Sequence, residues 1–233
     1  NAKMAGLLMN AEIENAKKVL HKAERPFTAI VGGAKVSDKV LIVENLLQIA
    51  NHIIIGGGMA YTFFKAMGGQ IGASLCEAER VDTCKEILAR AKTMGVQIHL
   101  PIDAVVADCF AADANTKIAN SGEIEANWMG LDIGPKAIET FRAVLLESKT
   151  ILWNGPMGVF EMPAFENGTK SIAHAVADAT KNGAFSLIGG GDSAAAVQQF
   201  ELSKEVSYVS TGGGALLEYF EGKTLPGVEA LEA

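Results

Sequence analysis

The stretch IVGGAKVSDKV, Ile30 to Val40, sets the reading of the whole chain. A short β-branched run meets Gly32 and Gly33, and an amphipathic segment follows. That is the pattern of a strand ending in a tight turn before a helix. The same grammar recurs. Apolar runs of strand length stand at 27–31, 52–55, 96–100, 150–153, 184–188 and 206–209, with a further candidate at 103–107. None alternates in and out, which suits strands buried on both faces. Helical spacing of apolar residues fills 38–50, 77–94, 136–148, 168–181, 193–202 and 214–221. Strands alternating with helices predict an α/β fold with right-handed crossovers. The expected architecture is a three-layer, Rossmann-like domain with a six-stranded, mainly parallel sheet flanked by helices. Residues 109–128 are small and polar, and are expected to form an excursion at the sheet edge with short strands of their own.

Glycine marks the ends of these runs: Gly32-Gly33, Gly56 to Gly58, Gly155 and Gly158, Gly189 to Gly191, and Gly212 to Gly214. In a parallel sheet such ends share one edge, where ligands of open α/β sheets bind. Glycine there permits turns with positive φ and lets backbone N–H groups approach a ligand. Helix N-termini favour an anion, so a phosphate or polyphosphate is expected.

The chain has 233 residues and a formal net charge of −7, with 49% hydrophobic and 20% charged residues. It can bury a sizeable core and is not disordered. Its scattered basic residues argue against nucleic acid as a partner. Three cysteines without C-x-x-C spacing argue against a disulfide framework or a zinc site and suit a reducing, cytoplasmic setting. The four histidines show no metal-ligand spacing and read as structural or surface residues. No apolar run reaches the roughly 18 residues that span a membrane. The chain opens on Asn1 rather than Met, so a fragment of something longer is expected.

Gly222-Lys223-Thr224 suggests a P-loop, but Leu217 stands where its first glycine is required. Gly189, Gly191 and Ala194 fit the dinucleotide pattern, which is weak alone. The acid that pattern needs after the next strand is missing, because Ser210 and Thr211 follow 206–209. Asp192, just after Gly191, would repel a pyrophosphate unless a cation intervened, which suggests a Mg²⁺-bridged nucleotide. For Asp192 and Ser193, ordinary helix capping is an equal reading. Lys39, expected in the first helical turn, is unfavourable against the helix dipole unless an anion is near. Lys35 in the turn is either a phosphate ligand or a solvated side chain.

GGAKVSDK (32–39), IIIGGGMAYTF (53–63), WMGLDIGP (128–135), LWNGPMGVFE (152–161), IGGGDSAA (188–195) and VSTGGGALLEYFEGKTLPGVEAL (209–231) together resemble phosphoglycerate kinase. The resemblance runs the length of the chain but matches only the C-terminal, nucleotide-binding half of that two-lobed family. It implies that residues 1–23 include the interdomain helix and that the N-terminal lobe, which binds 3-phosphoglycerate, is the absent partner.

The resemblance also implies roles. Lys35 would stabilise the phosphoryl group in flight, with Gly191 and Gly214 as donors near the reaction centre. Lys39 and Asn154 would hold the nucleotide phosphates, beside the backbone donors Gly190 and Gly213. Asp192 would bind Mg²⁺, and Ser193 stands where many members have threonine. Glu161 would bond the ribose, with Pro156 and Val159 beside sugar and base. Gly33, Gly57, Gly58, Leu75, Gly130 and Leu131 would wall the adenine slot. The implied substrates are ADP and ATP with Mg²⁺, in a cytoplasmic monomer that is near-inactive without its other lobe. Leu225 to Val228 would reach back toward the missing lobe and, without it, be loose.

Overall fold

The structure, a computed structural model, describes residues 6–232. In chain order its elements are α1 (Leu7–Lys22), β1 (Phe27–Val31), α2 (Val40–Leu46), β2 (His52–Ile55), α3 (Ala60–Ala66), β3 (Gln70–Ile71), α4 (Val81–Met94) and β4 (Gln97–His99). Then follow β5 (Asp103–Ala107), β6 (Thr116–Asn120), β7 (Glu123–Ile124), β8 (Met129–Ile133), α5 (Pro135–Glu147), β9 (Thr150–Asn154), α6 (Asn167–Lys181), β10 (Phe185–Gly189), α7 (Gly191–Gln199), β11 (Tyr208–Val209), α8 (Gly214–Phe220) and α9 (Pro226–Glu232).

Six strands form one sheet in the order β11-β10-β9-β1-β2-β4, and every pairing is parallel. Both faces are covered, as a parallel sheet requires. Ala29, Val31, Ile53, Ile55, Leu152 and Leu187 point into a core shared with α1, α2, α3, α4 and α8. Ile30, Ile54, Ile151, Trp153 and Ile188 point into a core with α5, α6 and α7. All five residues of β1 and of β9 are buried, so the continuous apolar runs report burial on two sides. The layers are therefore helix, sheet, helix, as the alternation predicts.

The strand at 103–107 exists but does not join this sheet. It is the centre of an antiparallel sheet, β6-β5-β8, and β3 and β7 make a further two-stranded pair. The polar 109–128 segment thus supplies β6 and β7 of a separate subassembly. Several expected spans are shorter, two of them markedly. The helix expected over 38–50 covers Val40–Leu46, because its end tightens into i to i+3 bonds from Gln48 N–H to Asn45 O and from Ile49 N–H to Leu46 O. Lys39 is accordingly the N-cap, with φ −126° and ψ −5°, and not a first-turn residue. The run at 206–209 pairs only through Tyr208 and Val209. Helices α3 and α9 were not expected. The segment expected to be loose begins α9: the Val228 and Glu229 amides donate to Leu225 O, and Val228 is buried.

β1 lies between β2, which leads outward to β4, and β9, which leads outward to β10 and β11. The chain therefore reverses its direction of travel across the sheet between β1 and β9. A crevice opens at the carboxyl ends of the strands at such a switch point. Among the described residues, no helix is long and apolar enough to cross a membrane.

Candidate functional site

The carboxyl ends of β1, β2 and β9 are clipped together by their own backbone. Gly32 N–H donates to Asn154 O (2.8 Å), Gly57 N–H to Met157 O (3.0 Å) and Met59 N–H to Gly33 O (3.0 Å). At Gly57 the approach demands glycine: φ is +68°, and a Cβ would sit 2.5 Å from Gly33 O. At Gly191 and Gly214 the opposite holds, because a Cβ at either would meet nothing within 4 Å. Part of the glycine edge is scaffold, and part borders open space.

Behind this edge lies a cleft of about 480 Å³. Gly33, Gly57 and Gly58 line it, together with Leu75 and with Gly130 and Leu131 of β8. Pro156, Val159 and Glu161, on the loop after β9, also line it, as does Asp192 at the start of α7. The slot residues named from sequence thus converge on one cavity, although they come from four separate segments. Gly130 is tightly packed: any Cβ there would collide with the Tyr61 hydroxyl.

Lys35, Lys39, Asn154, Gly190, Gly191, Ser193, Gly213 and Gly214 do not line this cavity. Several of them lie beside it. The Lys39 ammonium donates to Asn154 Oδ1 (2.5 Å), and Asn154 Nδ2 donates to Gly189 O (2.7 Å). Asn154 is fully buried, so it fixes a half-buried lysine across the switch point. Burial pushes the Lys39 ammonium below the usual lysine range, while the carboxylates of Asp192, Asp38 and Glu221 act to hold its charge. Lys39 and Asp192 therefore share one local field.

Lys35 is exposed in the turn after β1. Its charge acts on Glu77, which accepts Ser37 N–H (2.9 Å) and Ser37 Oγ–H (2.6 Å). Desolvation opposes ionisation of Glu77, but these bonds and Lys35 outweigh it and hold the carboxyl below the ordinary range. The Ser193 hydroxyl points inward: its Oγ accepts Gly155 N–H at 2.6 Å, and the side chain is fully buried. It ties α7 to the loop after β9. Neither Asp192 nor Ser193 caps α7, whose N-cap is Gly190 at φ +89°.

Among the lining residues not singled out from sequence, Phe110, Tyr61 and Asp132 bear most on the cleft. Phe110 is 61% exposed, a large apolar surface on the edge excursion, and it could have been noticed as such. Tyr61 sits inside the 53–63 motif; burial and the Asp132 charge push its phenol upward. Asp132 is the least legible. It is 3% exposed and accepts Gly168 N–H through Oδ2 (2.6 Å), while Oδ1 has no partner among the described residues. Burial raises its carboxyl to about 7, against the opposing backbone bonds from Gly168 and Ile133.

Comparisons with known proteins bear on this architecture. A family model described as phosphoglycerate kinase matches residues 1–223. The phosphoglycerate kinase of Porphyromonas gingivalis (strain ATCC BAA-308 / W83) is 55% identical over 230 residues, which is 99% of this chain and 55% of that protein. The phosphoglycerate kinase structure from Coxiella burnetii superimposes with a TM-score of 0.94 at 43% identity, covering 98% of this chain and 58% of that one. The Pyrococcus horikoshii OT3 enzyme gives a TM-score of 0.83 at 31% identity, over 97% of this chain and 56% of that one. The chain thus spans a little over half the length of the relatives it matches. By family match, by sequence identity and by fold, it belongs to the phosphoglycerate kinase family.

Proposed function

We propose that this chain carries the MgADP/MgATP site of phosphoglycerate kinase. The reaction is reversible phosphoryl transfer between 1,3-bisphosphoglycerate and ADP, giving 3-phosphoglycerate and ATP. One observation carries the reading. The residues that the motifs assign to the base and ribose line a single cleft at the switch point, with Lys39, Asn154 and Asp192 clustered at its phosphate end.

Phosphoryl transfer asks the protein chiefly for positioning and for neutralisation of the equatorial oxygens. Leu75, Leu131 and Val159 offer apolar contact to a base, and Glu161 offers an acceptor to ribose hydroxyls. Lys39 is already oriented by Asn154 and would grip a nucleotide phosphate. Lys35, exposed and unencumbered by packing, would meet the group in transfer. The amides at Gly190, Gly191, Gly213 and Gly214 would donate to phosphate oxygens. A carboxylate or phosphate acceptor is already ionised, so these residues need no general base.

The residues present also fit Mg²⁺. Asp192 offers one exposed carboxylate beside the cluster, and among the described residues no three His, Cys, Asp or Glu side chains converge on a metal site. A hard cation held by one carboxylate would take its remaining ligands from phosphates and water, as Mg²⁺ commonly does. Bound there with the nucleotide, it would neutralise phosphate charge.

The other substrate belongs to a lobe outside this sequence, and α1 is the proposed link to it. Bringing two substrates together supplies a large part of catalysis. The isolated chain should therefore bind MgADP yet turn over at a small fraction of a two-lobed enzyme. Calorimetry with MgADP and a coupled turnover assay test this. Full activity from the chain alone, or no binding at millimolar ADP, refutes the reading. A folded chain that binds no nucleotide would identify a purely structural lobe.

A further inference from the structure

His52 opens β2 and His99 closes β4, the neighbouring edge strand. In the parallel register His52 lies opposite Gln97 and His99 opposite Ile54, so the two histidines are diagonal neighbours on one face. His52 Nδ1 and His99 Nε2 are 3.1 Å apart, with ring centroids separated by 5.3 Å and planes tilted by 40°. Both side chains are half-buried. Past β2 the chain reaches the cleft at Gly57, so His52 lies roughly 15 Å back at about 3.3 Å per residue. Neither histidine lines the cleft.

We propose that His52 and His99 form a chelating site for a late first-row divalent ion, with Ni²⁺ or Cu²⁺ preferred. Imidazole nitrogens bind such ions at roughly 2.0–2.1 Å. With the two nitrogens 3.1 Å apart, an ion equidistant from both closes an angle near a right angle. Square-planar and octahedral sites use that angle, which suits Cu²⁺ and Ni²⁺ ahead of tetrahedral Zn²⁺. Imidazole is a poor match for hard Mg²⁺, so this site would not compete for the ion proposed at Asp192.

The strands supply preorganisation, because both ligands ride on adjacent, ladder-bonded elements. Without metal, one of the two facing nitrogens carries the shared proton. On binding, that proton moves to the other nitrogen of the same ring. Both facing nitrogens then present lone pairs to the ion. Among the described residues no third His, Cys, Asp or Glu completes a cluster, so water fills the remaining positions.

The test titrates NiCl₂ into the full chain without nucleotide, by calorimetry and by NMR of the histidine ring resonances. The expected result is one-to-one binding in which paramagnetic Ni²⁺ broadens His52 and His99 before His21 and His174. His52→Gln and His99→Gln should each weaken binding about ten-fold or more, since even indirect support of a ligand is worth that much. Broadening that begins at His21 or His174, or unchanged affinity in both variants, overturns the site. If a variant fails to fold, the broadening order in the unsubstituted chain decides alone. The outcome is independent of the nucleotide reading, which is tested with MgADP.

Discussion

Asp132→Asn should make the protein more stable at alkaline pH and flatten its dependence on pH. The folded carboxyl titrates near 7 because burial disfavours its charge, against 3.8 for an ordinary aspartate. A group whose folded pKa is raised binds more protons in the folded state, so stability falls as pH rises between the two values. For this residue the loss begins near pH 4 and is complete just above pH 7. At 1.36 kcal/mol per unit, its contribution falls by roughly 2.5 kcal/mol between pH 5 and pH 8. Asparagine mimics the protonated acid: its oxygen can accept Gly168 N–H, and its amide nitrogen takes the unpartnered Oδ1 position. Urea unfolding of both proteins across this range gives the difference directly. Carboxylates held below the ordinary range, such as Glu12 and Glu77, act in both proteins and cancel. The stability of the asparagine variant relative to the aspartate protein should rise by roughly 2.5 kcal/mol from pH 5 to pH 8. Parallel pH profiles would show that Asp132 is not a protonated acid in the folded protein, and the burial argument would fail.

Lys39→Ala removes a charged donor beside Asp192, so MgADP affinity should fall about ten-fold or more by calorimetry, and unchanged affinity would sink its assigned role. Asp192→Ala should abolish the benefit of Mg²⁺, leaving ADP binding equal with and without the metal. Ser193→Ala orphans the buried Gly155 N–H, which should cost about 1–3 kcal/mol in chemical denaturation. Gly57→Ala forces a Cβ against Gly33 O at positive φ, and a loss of at least about 1 kcal/mol is expected; thermal melting that matches the parent would contradict the packing described.

The strands were legible because burial on two faces leaves an uninterrupted apolar run, and β1 and β9 carry that signature along their whole length. The same signal could not say which sheet a run joins. Asp103–Ala107 looks like the other runs, yet its partners are β6 and β8, and pairing is a tertiary fact that no local pattern encodes. Helix ends failed for a related reason. Leu47 and Ile49 continue the apolar rhythm of α2, but Leu47 is buried and Ile49 partly buried by a turn of tighter hydrogen bonding and not by further helix.

Within the site, positions carried by motifs were legible, and properties created by burial were not. Asp132 stood inside a quoted motif, yet nothing in the order of residues announced that its carboxyl would lose solvent and keep an oxygen unpaired. Lys39 shows the same division. Sequence exposed a cation misplaced against a helix dipole. Only the fold supplies Asn154, distant in sequence, as the acceptor that holds its ammonium. The glycines divide too. Gly57 answers to the backbone of Gly33, whereas Gly191 and Gly214 border open space and answer to no neighbour in the chain. A glycine that the scaffold does not require is the more informative one, because its missing side chain leaves room for something else. That logic directs the search for ligand contacts to the starts of α7 and α8 ahead of the crowded turn after β1. The lysines of that turn would then reach toward a phosphate held mainly from the opposite side of the switch point.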